Sequence, residues 1–253
     1  MGLFSKKKEN INDVILAGNK ELLLQKLQTT GDIESQDSDG WTPLLLAIHK
    51  GDIEIVKILL DHGAETDYIG NPAGVPLVLA CANGNKEIVQ LLLDHNASPH
   101  NADMNDFFPL TVAAQNGNLE IVKLLVDRGA DVMMCVDDGW TALHAAVQNN
   151  QKEIVSYLLS LGADPYAKSS ENKTPWDIAV ENRNDFILQE IKNKSQNKNI
   201  KPKNKKKTNL FLGLFRLLII DGSKVKTKKE WIFIGIMTLV IIIVFLIAKI
   251  FYS

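Results

Sequence analysis

Residues 42–64, TPLLLAIHKGDIEIVKILLDHGA, contain two short helical patterns separated by a tight turn. Thr42 has the side-chain oxygen that an N-cap needs, and Pro43 suits the first helical position. Gly51 lies where the first helix would end in a left-handed conformation, and Asp52 can begin the second. The apolar residues of the second pattern share one face: Ile55, Val56, Leu59 and Leu60. Helices this short are unstable alone in water, so the unit needs neighbours.

The same unit recurs at steps of 33 residues without a gap. Its proline is found at Pro43, Pro76, Pro109 and Pro175, with Ala142 in the remaining place. Its alanine is found at Ala47, Ala80, Ala113, Ala146 and Ala179. The exit of its second helix is at Gly63, Asn96, Gly129 and Gly162, and Asn is the next best residue for a left-handed cap. A fixed period of this length is typical of a stacked solenoid.

Two kinds of segment resemble the ankyrin repeat. Residues 40–44 (GWTPL) and 139–143 (GWTAL) resemble the family's Gly-x-Thr-Pro-Leu element, and residues 120–131 (EIVKLLVDRGAD) resemble its second helix and exit. The resemblance covers about residues 10–192 and implies an all-α solenoid of helix-turn-helix units with hairpin fingers. Val75 and Phe108 stand where the family has threonine, so the fingers of those units are expected to be looser or differently shaped.

The chain is predicted to consist of six segments. They are an N-terminal tail (1–9), the repeat domain (10–192), a basic disordered linker (193–208), an apolar interfacial segment (209–222), a basic juxtamembrane segment (223–230) and a transmembrane helix (231–252). The repeat domain is predicted to hold units 1 to 6 at about 10–36, 37–69, 70–102, 103–135, 136–168 and 169–192. Unit 1 keeps the register imperfectly, as a terminal capping unit does, and unit 6 continues the register until the pattern stops at Lys192, so units 1 and 6 are the terminal units.

Charge is separated along the chain. Residues 1–192 contain 15 Lys and Arg against 28 Asp and Glu, a balance of −13. Residues 193–230 contain 12 against 2, a balance of +10. An acidic repeat domain disfavours nucleic acid as its partner, because nucleic acids are bound through neutralisation of their phosphates.

The C-terminal segment has the composition of a membrane span. Residues 231–248 carry no charge, and a helix over 231–252 would be about 33 Å long, enough for a hydrocarbon core of about 30 Å. Trp231 and Tyr252 stand at its ends, as interfacial aromatic residues do. The lysines before it place the repeats in the cytosol and the C-terminus across the membrane, in a single-pass, tail-anchored arrangement.

Basic residues before the span are candidates for contact with anionic lipid, at about 1 kcal/mol per lysine close to the surface. They are Lys205, Lys206, Lys207, Arg216, Lys224, Lys226, Lys228 and Lys229. Residues 210–220 are apolar but too short to span and contain Arg216. They are predicted to lie on the membrane as an interfacial helix, and a helix that docks on a partner is the alternative.

The resemblance implies that the finger tips and first helices bind a protein partner, whose identity the sequence does not give. The candidate residues are Asp39, Trp41, His49, Lys50, Asn71, Asn83, Met104, Phe107, Gln115, Asp137, Asp138, Trp140, Gln148 and Lys173. Ser170 and Glu171 are the other exposed tip positions of the finger that holds Lys173. Trp41, Phe107 and Trp140 occupy equivalent places and would form a row of hot-spot residues, unless each ring folds back on its own hairpin.

No pattern of catalysis is found in the sequence. It contains no Gly-rich phosphate loop, nucleophile elbow or His-Glu-x-x-His element, and no His or Cys at metal-ligand spacing. His62 and His95 repeat for structural reasons, and His144 resembles the family's histidine that hydrogen-bonds neighbouring loops. We therefore expect no enzyme activity, cofactor, metal or small-molecule substrate. The predicted function is a membrane-anchored protein-binding scaffold; the alternative is a regulatory subunit of a transporter or channel, contacted through residues 231–252.

Overall fold

A computed structural model describes residues 10–30, 32–67, 74–135 and 138–196. In these ranges twelve α-helices follow one another in six pairs. They are α1 (Ile11–Leu16), α2 (Lys20–Thr30), α3 (Pro43–Lys50), α4 (Ile53–Asp61), α5 (Pro76–Asn83), α6 (Lys86–Asp94), α7 (Pro109–Gln115), α8 (Leu119–Asp127), α9 (Ala142–Gln148), α10 (Lys152–Ser160), α11 (Pro175–Glu181) and α12 (Asp185–Gln196). The predicted all-α solenoid is confirmed.

The first helices begin where threonine supplies a cap. The hydroxyl oxygen of Thr42 accepts a hydrogen bond from the backbone N–H of Leu45 at 3.2 Å. Thr141 and Thr174 form reciprocal capping boxes with the third residue of their helices. Val75 and Phe108 provide no side-chain cap, as their side chains predict, so α5 and α7 begin with Pro but without this hydrogen bond.

Positive φ angles recur at the same places in successive units. The turn between the two helices of a pair has this conformation at Gly18, Gly51, Gly84, Gly117, Asn150 and Arg183. The exit of the second helix has it at Gly63, Asn96, Gly129 and Gly162, as predicted. Arg183 has φ +51° and is the one residue of the first series that is neither Gly nor Asn. The left-handed conformation costs an L-residue that has a β-carbon roughly 1–2 kcal/mol.

One apolar core runs through all six helix pairs. Equivalent isoleucines of the second helices are at most 2% exposed: Ile55, Ile88, Ile121, Ile154 and Ile187. Burying a side chain of this size contributes about 1.5–3 kcal/mol, and each such residue packs in a core shared with adjacent pairs. The stack therefore supplies the stability that a single pair of short helices lacks.

Unit 6 has the features of a terminal unit. Val180 is 49% exposed, although its equivalents in units 2 and 5, Ile48 and Val147, are fully buried beneath the following unit. Lys192 stands where unit 5 has the buried Leu159, and its ammonium lies 5.7 Å from the ring centroid of Trp176. A lysine at this place covers apolar surface with its stem and keeps its charge in water.

Helix α12 continues to Gln196, past the residue at which the repeat domain was predicted to end. The first four residues of the predicted disordered linker are thus helical. No Gly or Pro interrupts them, and the side chain of Gln189 donates to that of Asn193 one turn later at 2.9 Å. Lys194 in the last turn also complements the helix dipole.

Among the helices of the described ranges, none combines the length and the apolar character needed to cross a membrane. The predicted interfacial segment 209–222, the basic segment 223–230 and the predicted span 231–252 lie outside the described residues. The same is true of the N-terminal tail 1–9 and of the linker from residue 197 onward.

Candidate functional site: the finger groove

Aspartate side chains shape two of the fingers. Asp37 and the equivalent Asp103 each use one carboxylate oxygen to accept two backbone N–H groups, two and four residues further on, at 2.9–3.0 Å. These hydrogen bonds to the aspartate carboxylates close a tight turn before the first helix, as Asx turns do. They fix the backbone of Trp41 and Phe107, and so the place from which each ring leaves the finger.

The three rings of the predicted aromatic row lie differently. Trp41 contacts His49 edge to face, with ring centroids 5.1 Å apart. Trp140 stacks on His144 at 4.9 Å and packs against the apolar core. Phe107 makes no such ring contact among the described residues and is 41% exposed. Both indoles therefore fold against the first helix of their own unit, whereas Phe107 is available at the surface.

His144 joins the finger of unit 6 to helix α9. Its Nδ1 accepts from the N–H and hydroxyl of Thr141 at 3.1 and 2.8 Å, which assigns the proton to Nε2. Nε2 donates to the carbonyl oxygen of Lys173 at 3.2 Å. The ring is fully buried, and burial lowers the pKa of His144 more than its bonds to the backbone of Lys173 and Ala167 and the nearby Asp138 carboxylate raise it. The histidine thus holds a loop, as the resemblance implies.

Several predicted contact residues bind the neighbouring unit instead of standing free. The ammonium of Lys50 donates to the carbonyl oxygens of Ile15 and Leu16, at 3.2 and 2.6 Å. The amide of Asn83 donates to the carbonyl oxygen of Ile48 at 3.0 Å. These donors satisfy carbonyls at the ends of the preceding first helix. The predicted contact residue Gln115 also bonds to the neighbouring unit, but through its backbone carbonyl oxygen, which accepts from the side-chain amide of Gln151.

Five of the predicted residues lie together in one cavity of about 510 Å³, which we call the finger groove. It is lined by Phe107, Asp138, Trp140, Gln148, Ser169, Ser170, Glu171 and Lys173, from units 4, 5 and 6. Ser170 and Glu171 are the other predicted tip positions of the unit 6 finger, and Ser169 is the one lining residue that the sequence analysis did not indicate. Ser169 occupies the same position of the repeat as Asp37 and Asp103, and this is the feature of the sequence that could have indicated it. The structure thus brings three fingers and the end of α9 to one surface.

The charge of the finger groove is predominantly negative. Lys173 forms an ion pair with Glu181, with Nζ 2.9 Å from Oε2, and this bond, with the charges of Glu181 and Glu171, raises the pKa of Lys173. Asp138 uses one carboxylate oxygen to accept the N–H of Trp140 at 2.7 Å. The groove lining thus contains two carboxylates, those of Asp138 and Glu171, and one ammonium, which pairs with Glu181 beside the groove.

The wall between the fingers of units 5 and 6 is closely packed. Gly139 has φ +74°, and a β-carbon at this residue would lie 2.5 Å from the carbonyl oxygen of Lys168. Beside it, the N–H of Ser170 donates to the carbonyl oxygen of Asp138 at 2.5 Å. Only glycine permits this approach of the two backbones. The groove therefore has a wall whose geometry is fixed by main-chain contact.

A second cavity, of about 580 Å³, continues from the finger groove at Gln148 toward the helix turns of units 5 and 6. Its lining is mainly polar and includes Asn150, Lys152, Arg183 and Phe186. The ammonium of Lys152 lies 5.4 Å from the ring centroid of Phe186. The concave surface thus runs from the fingers along the end of α9 to the turns.

Other predicted residues lie apart from the groove. Met104 is 65% exposed on the finger of unit 4 but does not line it, and Asp39, Trp41 and His49 belong to unit 2. The remaining candidates lie outside the described residues: Asn71, Asp137, Lys205, Lys206, Lys207, Arg216, Lys224, Lys226, Lys228, Lys229, Trp231 and Tyr252.

The described ranges contain no group of three or more His, Cys, Asp or Glu side chains that could hold a metal ion. Cys81 is buried in α5, and burial raises the pKa of its thiol far above the ordinary range. Cys135 is exposed and free. The groove has the residues of a recognition surface, with two aromatic rings, hydrogen-bonding groups and opposite charges.

Comparison with known proteins identifies the repeat. The family model described as ankyrin repeats (3 copies) matches residues 14–103, 77–169 and 110–204, which together are more than half of the chain. An ankyrin repeat protein of fowlpox virus (strain NVSL) is 41% identical over 61 residues, 24% of this chain and 14% of the relative.

Two vertebrate relatives match over similar lengths. The ankyrin repeat, SAM and basic leucine zipper domain-containing protein 1 of Notamacropus eugenii is 33% identical over 60 residues, 24% of this chain and 13% of the relative. Mouse protein phosphatase 1 regulatory subunit 27 is 41% identical over 57 residues, 22% of this chain and 37% of the relative. In each case the match spans well under two thirds of the relative. Ankyrin repeats imply protein–protein interaction and are generally binding modules without enzyme activity. This chain belongs to the ankyrin-repeat family.

Proposed function

We propose that this protein is an adaptor that binds another protein through the finger groove and is held at a membrane by residues 231–252. The observation that carries the binding proposal is the convergence of Phe107, Asp138, Trp140, Gln148 and Lys173 on one cavity. Each was a candidate from its place in the repeat alone. Aromatic residues are among the few residues that carry most of the binding energy of a protein interface, and polar groups around them exclude water.

Rigidity of the groove supports the proposal. The capping box of Thr141, the His144–Lys173 bond and the contact at Gly139 fix the fingers of units 5 and 6 before any partner arrives. A preformed surface loses little conformational entropy on association, so more of its contact energy remains as affinity.

Capture from native membranes with cross-linking tests the binding proposal. Phe107→Ala and Gln148→Ala alter exposed groove residues without opening the core, and each is expected to weaken capture of the same partner about tenfold, or about 1.4 kcal/mol. Met104→Ala is the matched control, since Met104 is exposed on the finger of unit 4 but outside the groove. Undiminished capture by both groove variants would contradict the proposal.

The membrane proposal is supported by the sequence of residues 231–252, which is long and apolar enough to span a bilayer. Tethering would raise the effective concentration of a partner at the same surface. Deleting residues 231–253 is expected to release the protein from sedimented membranes into the supernatant. If the shortened chain still sediments with membranes and is released by high salt, contact of the basic segments with anionic lipid is the anchor instead.

A second candidate function is a regulatory subunit of an enzyme or a membrane complex. The similarity to mouse protein phosphatase 1 regulatory subunit 27 favours the regulatory role. The transporter or channel form of this role would place the specific contact on residues 231–252. A chain ending at residue 196, the last residue of α12, separates the candidates: an adaptor keeps its partner, whereas a subunit recognised through the membrane segment loses it.

A further inference from the structure

The finger groove offers acceptors at matching places on two adjacent fingers. Asp138 and Glu171 are 33 residues apart and occupy the same position of units 5 and 6. Asp39 has this position in unit 2, far along the stack from the groove. The ammonium of Lys173 is engaged by Glu181, so it does not neutralise both groove carboxylates. Two carboxylates on neighbouring fingers favour a cationic ligand between them.

The floor of the groove has a further unused group. Ser169 is only 8% exposed, and its Oγ is buried with no hydrogen-bond partner among the described residues. At the equivalent places, the longer side chains of Asp37 and Asp103 accept two backbone N–H groups each. The serine hydroxyl makes neither bond. An unpaired buried hydroxyl is unfavourable, and a ligand N–H that donates to Oγ would remove that cost.

The aromatic residues of the groove favour the same ligand. One face of the Trp140 indole is covered by His144, and the ring also lines the groove. Phe107 is exposed at the opposite finger. Aromatic faces attract cations, and a planar guanidinium stacks on them while its edge donates hydrogen bonds.

We propose that the finger groove binds an arginine side chain of the partner, with Asp138 and Glu171 as ion-pair acceptors and Ser169 Oγ as a further acceptor. The inference rests on the proposed function, since it names the chemistry of the ligand at that same site. Arginine is favoured over lysine because its five N–H groups reach several acceptors at once and its flat face suits Trp140 and Phe107.

A random dodecapeptide library, selected on the full-length protein in detergent micelles, provides the probes. Arginine is expected to be enriched in the selected peptides. Replacing it by citrulline, which keeps the shape and loses the charge, should weaken binding at least tenfold. Asp138→Asn with Glu171→Gln should cause a similar loss for the arginine peptide and little change for the citrulline peptide. Asp39→Asn is the matched control and should leave binding unchanged.

Ser169→Ala adds a test in which two measurements move in opposite directions. Removing an unpaired buried hydroxyl should raise the unfolding midpoint slightly, because no hydrogen bond of the described structure is lost. The same substitution should weaken the arginine peptide several-fold. A variant that loses binding only because its fold is damaged would show the opposite stability change.

Two further outcomes distinguish failure of the arginine inference from failure of the groove as a binding surface. If selected peptides depend on Phe107, as shown by Phe107→Ala, but bind equally well with citrulline, the arginine inference is overturned and the groove remains the binding surface. If no selected peptide is affected by Phe107→Ala, both the groove as a binding surface and the arginine inference are overturned.

Discussion

Substitution of Gly139 by alanine would test whether the fingers of units 5 and 6 are held in contact by their main chains. The residue has φ +74°, and an added β-carbon would lie 2.5 Å from the carbonyl oxygen of Lys168 and 3.1 Å from the α-carbon of Ser169. Ordinary contact begins at about 3.5 Å, so the backbones would have to separate by roughly 1 Å. That separation would strain the Ser170–Asp138 backbone hydrogen bond.

Gly51→Ala is the matched control. Gly51 has φ +71°, nearly the same backbone conformation, but a β-carbon there would meet nothing within 4 Å. The control should therefore cost only the left-handed conformation of an L-residue, roughly 1–2 kcal/mol. Gly139→Ala should cost this amount together with about 1 kcal/mol for a weakened hydrogen bond and about 1–3 kcal/mol for the steric displacement. The expected total is about 3–6 kcal/mol.

The assay is urea and thermal unfolding followed by far-ultraviolet circular dichroism, which reports the helices. At about 2–4 °C per kcal/mol for a domain of this size, Gly51→Ala should lower Tm by about 2–8 °C and Gly139→Ala by clearly more. Gly139→Ala should also weaken the arginine-peptide binding, since it displaces one wall of the groove. Equal destabilisation by the two substitutions would refute the proposed main-chain contact.

Four further substitutions test local features of the stack. Ser169→Asp should raise the free energy of unfolding by about 1 kcal/mol, because it restores the carboxylate that closes the equivalent finger turns; Asp103→Ser should lower it by a similar amount in the same urea titration. Arg183→Gly should stabilise unit 6 by about 1 kcal/mol by relieving a positive φ, and a lower thermal midpoint would contradict this. Burial lowers the pKa of folded His144, so its contribution should be full above about pH 6.5 and decrease as the pH falls toward the folded pKa; the stability difference between wild type and His144→Gln should shrink on acidification.

The periodic part of the structure could be predicted from sequence because its causes are local. Thr42, Pro43 and Gly51 specify where α3 begins and ends, and the same residue types return every 33 residues. Absence of the cap at Val75 and Phe108 was equally visible, since a hydrocarbon side chain has no acceptor. Repetition then multiplied a weak local signal into a strong one for the whole domain.

The groove could not be predicted in the same way, because it depends on contacts between units. Lys50 and Asn83 have the appearance of free surface residues in the sequence, yet their partners are carbonyl oxygens of the preceding unit, which no side-chain pattern reveals. Which fingers approach each other depends on backbone contacts such as that at Gly139. The sequence identified residues of the fingers and first helices as candidates, and the tertiary structure brings five of them to one cavity.

The placement of the groove follows from how its fingers are held. In units 5 and 6, Thr141 and Thr174 cap the first helices. The side chain of His144, in unit 5, donates to the carbonyl oxygen of Lys173 in the finger of unit 6. In unit 4 the cap is absent, but Asp103 closes the finger turn and leaves Phe107 exposed. Fixed fingers form a cavity with a defined shape, whereas binding to loosely held ones would first require their ordering at a cost in entropy. We therefore expect recognition to be concentrated where contacts between units fix the fingers, and loss of the His144–Lys173 bond should weaken peptide binding by loosening the finger of unit 6.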